Sequence, residues 1–210
     1  MKVLVIGSGG REHAIVEALS RSPKASKIYA APGNAGIAAL AECVVIKDTD
    51  VEGLVEFAKS NGVELTVVGP EASLAAGVVD RFREEGLKIF GPTKAAAAIE
   101  ASKDFAKRLM VKYDVPTATY ATFSDFDEAL AYVKRGSLPT VLKYDGLAAG
   151  KGVVIATTME EAEATLRDML LDTRFGKGSV VIEEFLTGEE FSLMCFVAGN
   201  KICAMPVAQD

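Results

Sequence analysis

The chain has 210 residues, 50% hydrophobic and 25% charged, which excludes a disordered, fibrous or low-complexity protein because enough apolar surface exists to offset chain entropy. A formal net charge of -6 speaks against a nucleic-acid partner, which ordinarily meets a basic face, although loops and helix ends can still bind anions locally. Three cysteines without CxxC spacing (Cys43, Cys195, Cys203) and a single histidine, His13, argue against a disulfide framework and a His-based metal cluster. No run approaches the roughly 18 apolar residues of a membrane span, so a cytoplasmic chain with no membrane partner is expected.

In chain order, Lys2–Ile6 reads as a buried strand and Glu12–Arg21 as a helix with Ala14, Ile15, Ala18 and Leu19 on one face. Strands follow at Lys27–Ala30 and Cys43–Ile46, a helix at Val51–Ser60, a strand at Leu65–Val68, a helix at Leu74–Arg83 and a strand at Lys88–Phe90. This alternation implies an α/β fold with a doubly wound, Rossmann-like parallel sheet, and ligands bind such sheets beyond the carboxyl ends of the strands. Those ends carry Gly7–Gly10, Ala31–Gly36, Gly69–Glu71 and Gly91–Thr93.

Beyond Thr93 the pattern changes. Lys94–Tyr113 reads as two helical segments, closed by the Val115–Pro116 break. Then come a strand (Thr119–Phe123), a helix (Asp125–Lys134) and strands at Thr140–Lys143 and Val153–Ala156 around a glycine-rich loop. A helix (Glu160–Leu171) precedes strands at Ser179–Glu184, Phe191–Ala198 and Lys201–Val207, the last two joined by the hairpin signal Gly199-Asn200. This half reads as α+β with an antiparallel sheet, and its end directly after a strand is expected of a fragment.

The first glycine loop, Gly7-Ser8-Gly9-Gly10-Arg11-Glu12, follows a strand and opens a helix, a setting where backbone N–H groups and the helix dipole face an anion. It fails the dinucleotide fingerprint: Glu12 stands at the third glycine position, and Tyr29-Ala30-Ala31 stand where a ribose-binding acid belongs. Binding of a smaller phosphate, with Arg11 as a charge-assisted partner, is one reading, and a tight packing turn is the other. His13 reads as a structural hydrogen-bonder rather than a catalyst. Glu71 is either an acceptor for sugar hydroxyls or a helix N-terminal acid, and Ala31–Gly36 either touches ligand or merely turns.

The second glycine loop, Lys143 through Gly152, misses the P-loop pattern: its spacing is one residue short, Gly152 replaces the hydroxyl residue, and a strand follows instead of a helix. A Gly/Ala loop between strands, flanked by Lys143 and Lys151, suits a lid closing over nucleotide phosphates, with an ordinary hairpin loop as the alternative. Some 40 residues on, Ile182–Glu190 offers backbone groups for an adenine edge and acids for ribose hydroxyls.

Together the segments GSGGREHA (7–14), APGNAG (31–36), VVGPEA (67–72), IFGPT (89–93), SKDFAK (102–107), DGLAAGKGV (145–153) and IEEFLTGEE (182–190) resemble the glycinamide ribonucleotide synthetase family of ATP-grasp ligases, over its N-terminal half. The resemblance implies an enzyme of purine biosynthesis joining glycine to 5-phosphoribosylamine through a glycyl phosphate, at the expense of ATP. It implies a substrate-binding domain at 1–101, a helical connector at 102–118, an ATP-grasp lid at 119–190, and the first strands of a truncated lobe at 191–210.

By the same resemblance Lys103, Lys143 and Lys151 serve the ATP phosphates, Lys143 and Lys151 as catalytic residues, and Gly146, Gly150 and Gly152 form the lid loop. Glu183, Phe185 and Leu186 meet adenine mainly by backbone, and Glu190 meets the ribose. Gly9, Gly10, Arg11, Gly33, Asn34 and Glu71 bind phosphoribosylamine. Mg2+ (or Mn2+) is implied as cofactor, with its carboxylate ligands in a C-terminal half outside this sequence, so that the isolated chain is expected not to turn over. Another ATP-grasp carboxylate–amine ligase, or a non-catalytic binding fragment, are the alternative readings.

Overall fold

The computed structural model describes residues 1–148, 151–172 and 176–209. The first half runs β1 (Lys2–Gly7), α1 (Gly10–Ser20), β2 (Lys27–Pro32), β3 (Glu42–Cys43), α2 (Val51–Asn61), β4 (Leu65–Val68), α3 (Glu71–Ala76), α4 (Val78–Glu84) and β5 (Ile89–Phe90). All neighbouring strands pair in parallel, in the order β3-β2-β1-β4-β5. The apolar run of β1 sits at the centre because both faces are covered. Leu4 and Ile6 pack with Leu54 and Phe82 on one side, Val5 with Val16 and Ile37 on the other. The chain passes from β1 to β2 in one direction and to β4 in the other, so a crevice opens at the carboxyl end of β1.

Two expectations from the sequence change here. The helix over Leu74–Arg83 is two helices that also begin earlier, because Gly77 adopts a left-handed φ of 93° that ends α3 and opens α4. The strand over Cys43–Ile46 reduces to Glu42–Cys43: Val44 still donates to the Ala30 carbonyl, but Ile46 turns back to bond Val44. Val45 is fully exposed, while Val44 and Ile46 still pack against the core from outside the ladder.

Helices α2 and α4 are tied at their ends by Glu85, which accepts from Lys59 (2.7 Å) and Arg81 (2.5 Å). The Lys59 bond first, then that of Arg81, holds the Glu85 carboxyl down to about 2 from an ordinary 4.5. A depressed carboxyl stabilises the fold above its unfolded value, and that stability is lost as pH falls through the folded one. Urea midpoints of Glu85→Gln should therefore change less than those of the wild type between pH 4.5 and about 2. Being exposed, the pair should also lose its effect in high salt.

The second half runs α5 (Lys94–Ala101), α6 (Lys103–Lys112), β6 (Tyr120–Phe123), α7 (Phe126–Arg135), β7 (Thr140–Tyr144), β8 (Val153–Ala156), α8 (Met159–Leu170), β9 (Val180–Glu184), β10 (Cys195–Ala198) and β11 (Lys201–Ala204). Ser102 ends α5 and caps α6, accepting from the Phe105 amide. Strands β6-β9-β7-β8 form a wholly antiparallel sheet. Helices α7 and α8 cover one face through Ala129, Val133, Leu166 and Met169 against Leu142, Val180 and Ile182.

Cross-strand partners share a face. The register Tyr120↔Glu183↔Val141↔Ile155 and Thr122↔Val181↔Lys143↔Val153 therefore lines the opposite face. Helix α6 reaches this face over β6 and β9, where Lys107 meets Glu183 and Tyr120, while Val153 and Ile155 on β8 stay exposed.

Strands β10 and β11 form a separate hairpin, shorter than the sequence implies, with an isolated bridge between Ser192 and Ala208. Cys195 lies opposite Ala204 and Cys203 opposite Phe196, so the two thiols point to opposite faces and both are free. Phe196, Val197 and Ile202 are exposed on it. Among the described residues no helix is long and apolar enough to cross a membrane.

Candidate functional site

The crevice at the end of β1 is a cavity of about 330 Å3 lined by Ser8, Gly9, Gly10, Arg11, Glu12, Asp48, Pro70 and Glu71. Three strand-end loops are knitted together around it. Arg11 Nη1 donates to the Gly69 carbonyl (2.8 Å) and to Glu71 Oε1 (2.9 Å), joining the first loop to the third. Asn34 Nδ2 donates to the Ser8 carbonyl (2.7 Å) while its Oδ1 accepts from the Ile37 amide, joining the second loop to the first. Gly33, at φ 70°, donates to the Gly7 carbonyl, and a Cβ there would stand 2.4 Å from Cys43 Sγ. Gly9, Gly10, Arg11 and Glu71 thus line the cavity itself, while Gly33 and Asn34 brace its wall.

Glu71 opens helix α3, and its own backbone N–H, followed by Arg11, holds its carboxyl below the ordinary range. Glu12, at the position where a dinucleotide site needs glycine, turns back under the loop. Its buried carboxylate accepts from the Gly9 amide (2.6 Å) and fills the space beside Gly7 and Gly69. That amide is therefore already engaged by an anion of the protein itself. The SGGRE string is legible as a capping arrangement, with Glu12 three residues beyond the cap. Asp48, also on the cavity, carries no such signal in the sequence.

The second cluster lies on the open face of the antiparallel sheet. Lys143 Nζ, partly exposed, meets Glu183 Oε2 at 2.9 Å, beside Val141 on its own strand and exposed Val153 and Ile155 on β8. Lys103 Nζ donates to the Gly146 carbonyl (3.0 Å), which places both lysines against the base of the second glycine loop. Gly146 takes φ 150°, and the two arms of the loop meet where the Tyr144 amide donates to the Gly152 carbonyl (2.7 Å). Lys151 is exposed and its amide bonds Ala148; Gly150 lies outside the described residues.

Beyond β9, Phe185 and Leu186 are exposed, as is Glu190, which lines a surface recess with Glu189, Phe191 and Ser192. The structure thus joins Lys103, Lys143, Gly146 and Glu183 at the loop, with Glu190 on a recess of its own. Two participants escape a reading by motif. Asp145 accepts from Ser102 Oγ, the Asp104 amide and Ser179 Oγ, clamping α6 to the loop. Lys107 makes a second ion pair to Glu183. The spacing of four from Lys103 shows a shared helix face, but not the partner on β9. Among the described residues no group of three or more His, Cys, Asp or Glu side chains could hold a metal ion.

A cation beside an apolar strand edge and a glycine loop suits a flat base carrying phosphates, and the first cavity suits a small polar ligand. The family description "Phosphoribosylglycinamide synthetase, N domain" matches residues 1–100, and "Phosphoribosylglycinamide synthetase, ATP-grasp (A) domain" matches residues 101–210. The phosphoribosylamine–glycine ligase of Streptococcus pneumoniae is 56% identical over the whole chain, which covers 51% of that protein.

The crystal structure of phosphoribosylamine–glycine ligase from Thermotoga maritima superposes with a TM-score of 0.81 at 33% identity, over 99% of this chain and 49% of its own. Carboxyaminoimidazole ribonucleotide synthase from Aspergillus clavatus, solved with ATP, shares the fold at 17% identity and a TM-score of 0.77, over 99% and 53% of the two chains. The chain spans about half the length of the curated relatives it matches. On these matches to its two successive halves, the chain belongs to the phosphoribosylglycinamide synthetase family.

Proposed function

We propose that this chain supplies the amino-sugar pocket and the nucleotide lid of a ligase that joins glycine to 5-phosphoribosylamine in purine biosynthesis, with ATP as phosphoryl donor. Residues 1–101 form the substrate-binding unit, 102–118 the connector, 119–190 the lid, and 191–210 the first strands of a further lobe. The observation that carries this reading is Lys143 on an open, partly apolar sheet face at the base of a glycine loop.

In the proposed reaction a glycine carboxylate oxygen takes the γ-phosphoryl group of ATP, giving glycyl phosphate and ADP. The sugar amine then attacks the carbonyl carbon, inorganic phosphate leaves, and the amine gives up a proton to form the amide. Phosphoryl transfer is mostly positioning and neutralisation of charge, which is what Lys103, Lys143 and Lys151 offer. Glu71, held ionised with Arg11 beside it, would accept sugar hydroxyls, and Arg11 would meet the phosphate.

A divalent cation wants hard carboxylate oxygens, and the described residues provide no such group, so no step here runs through one. Calorimetric titration should show ADP and ATP binding weakly and NAD not at all, with no phosphate released from ATP, glycine and phosphoribosylamine by this chain alone. Uptake of NAD in place of adenine mononucleotides would overturn the assignment of the lid.

A further inference from the structure

Glu183 is 6% exposed, and a buried carboxylate persists only with compensation. Two lysines provide it through a single oxygen: Lys107 Nζ lies 3.0 Å and Lys143 Nζ 2.9 Å from Oε2. The other oxygen, Oε1, is buried without a hydrogen-bond partner among the described residues. The two lysines differ in what else they do. Lys107 is 8% exposed, donates also to Thr117 Oγ1 (2.7 Å) and the Ala118 carbonyl (3.4 Å), and stacks over the Tyr120 ring. Two of its protons are thus hydrogen-bonded within the protein, and its charge rests on Glu183. Lys143 is 28% exposed and stands beside the glycine loop.

We propose that Lys107 is the resident counter-ion of Glu183 and thereby a positioning residue for Lys143, which it leaves free to exchange the carboxylate for a phosphate. With Lys107 fixed, the departure of Lys143 does not strand a buried anion. Without Lys107, the whole carboxylate charge falls on Lys143 and holds its ammonium in place. The exchange half of this proposal rests on the nucleotide reading above; the counter-ion half does not.

The test is acylation of surface amines with an N-hydroxysuccinimide acetate ester, read at Lys143 by peptide mass spectrometry on chains whose fold is checked by circular dichroism. Lys107→Met should slow labelling of Lys143 by roughly five-fold, because the ion pair becomes exclusive. The double variant Lys107→Met/Glu183→Gln should exceed the wild-type rate, because Lys143 then has no carboxylate to hold it. A purely structural role for Lys107 would loosen the site and speed labelling of Lys143 in the single variant, and that result overturns the proposal.

If the single variant does not fold, the double variant decides: faster labelling than wild type supports the proposal, and an unchanged rate overturns it because Lys143 would not sense Glu183. ADP should protect Lys143 in the wild type. Lack of protection, with labelling still slowed in Lys107→Met, refutes the nucleotide reading and the exchange half while supporting the counter-ion half.

Discussion

Lys143→Ala is expected to weaken binding of ADP and ATP by roughly 10- to 100-fold, the effect of deleting one charge-assisted hydrogen bond to a phosphate. The fold should survive, because Glu183 keeps its ion pair with Lys107 when Lys143 is gone. Calorimetry and a thermal melt on the same preparation check both halves of the expectation. Lys151→Ala provides the internal comparison. Its side chain is exposed on the loop, enters no ion pair among those described and must be brought to the phosphates by loop closure, so its removal should weaken nucleotide binding, but by less than that of Lys143. An equal loss in the two variants would mean that net positive charge near the loop matters, and not the placement of Lys143 on the sheet face.

Gly69→Ala should markedly destabilise the N-terminal half. A Cβ at this position would lie 2.0 Å from Glu12 Oε1 and 2.5 Å from its Cγ and Cδ. Glu12 cannot swing aside freely, because it is buried and accepts the Gly9 amide. Its displacement leaves that amide unbonded and shifts the Gly69 carbonyl that Arg11 uses. Overpacking and a lost charge-assisted bond together predict roughly 2 kcal/mol.

For a chain of this size that is about 4–8 °C in melting temperature. Gly10→Ala is the control, since a Cβ there meets nothing within 4 Å, and its melt should match the wild type. Adding Glu12→Ala to Gly69→Ala should recover part of the loss by vacating the space. If the double variant is no more stable than Gly69→Ala, contact with Glu12 is not the cause.

The exposed hairpin bears on the assembly of these two halves with any further lobe. A two-stranded hairpin is at best marginal alone in water, and β10–β11 shows Phe196, Val197 and Ile202 to solvent. Its only aromatic contact among the described residues is Phe196 on Phe90, 5.9 Å between ring centres.

Much of this organisation is written locally. Val3 to Ile6 are all apolar and β-branched or aliphatic, so they had to become a strand buried on both faces. Asp50, Thr93, Asp125 and Thr158 each stand just before a helical pattern, and each caps the helix that follows. With parallel βαβ order established, the glycine loops necessarily share the carboxyl edge of the sheet, so Gly9, Gly10, Arg11 and Glu71 could be grouped from sequence.

What sequence could not decide is where long side chains end. Glu12 is three residues from Gly9, but only the return of β4 beside β1 turns its carboxylate into a plug against Gly69. Gly77 looks like a tolerable helix glycine until packing of α3 and α4 demands a left-handed turn there. Glu183 reads as one acid in an acidic run, the composition of a solvated surface. Antiparallel pairing places it opposite Tyr120 and Val141, and α6 then brings Lys107 down upon it. Periodicity is a property of neighbours along the chain and therefore determined the elements, whereas compensation of a buried charge depends on groups 76 residues apart that only the folded sheet and helix bring together.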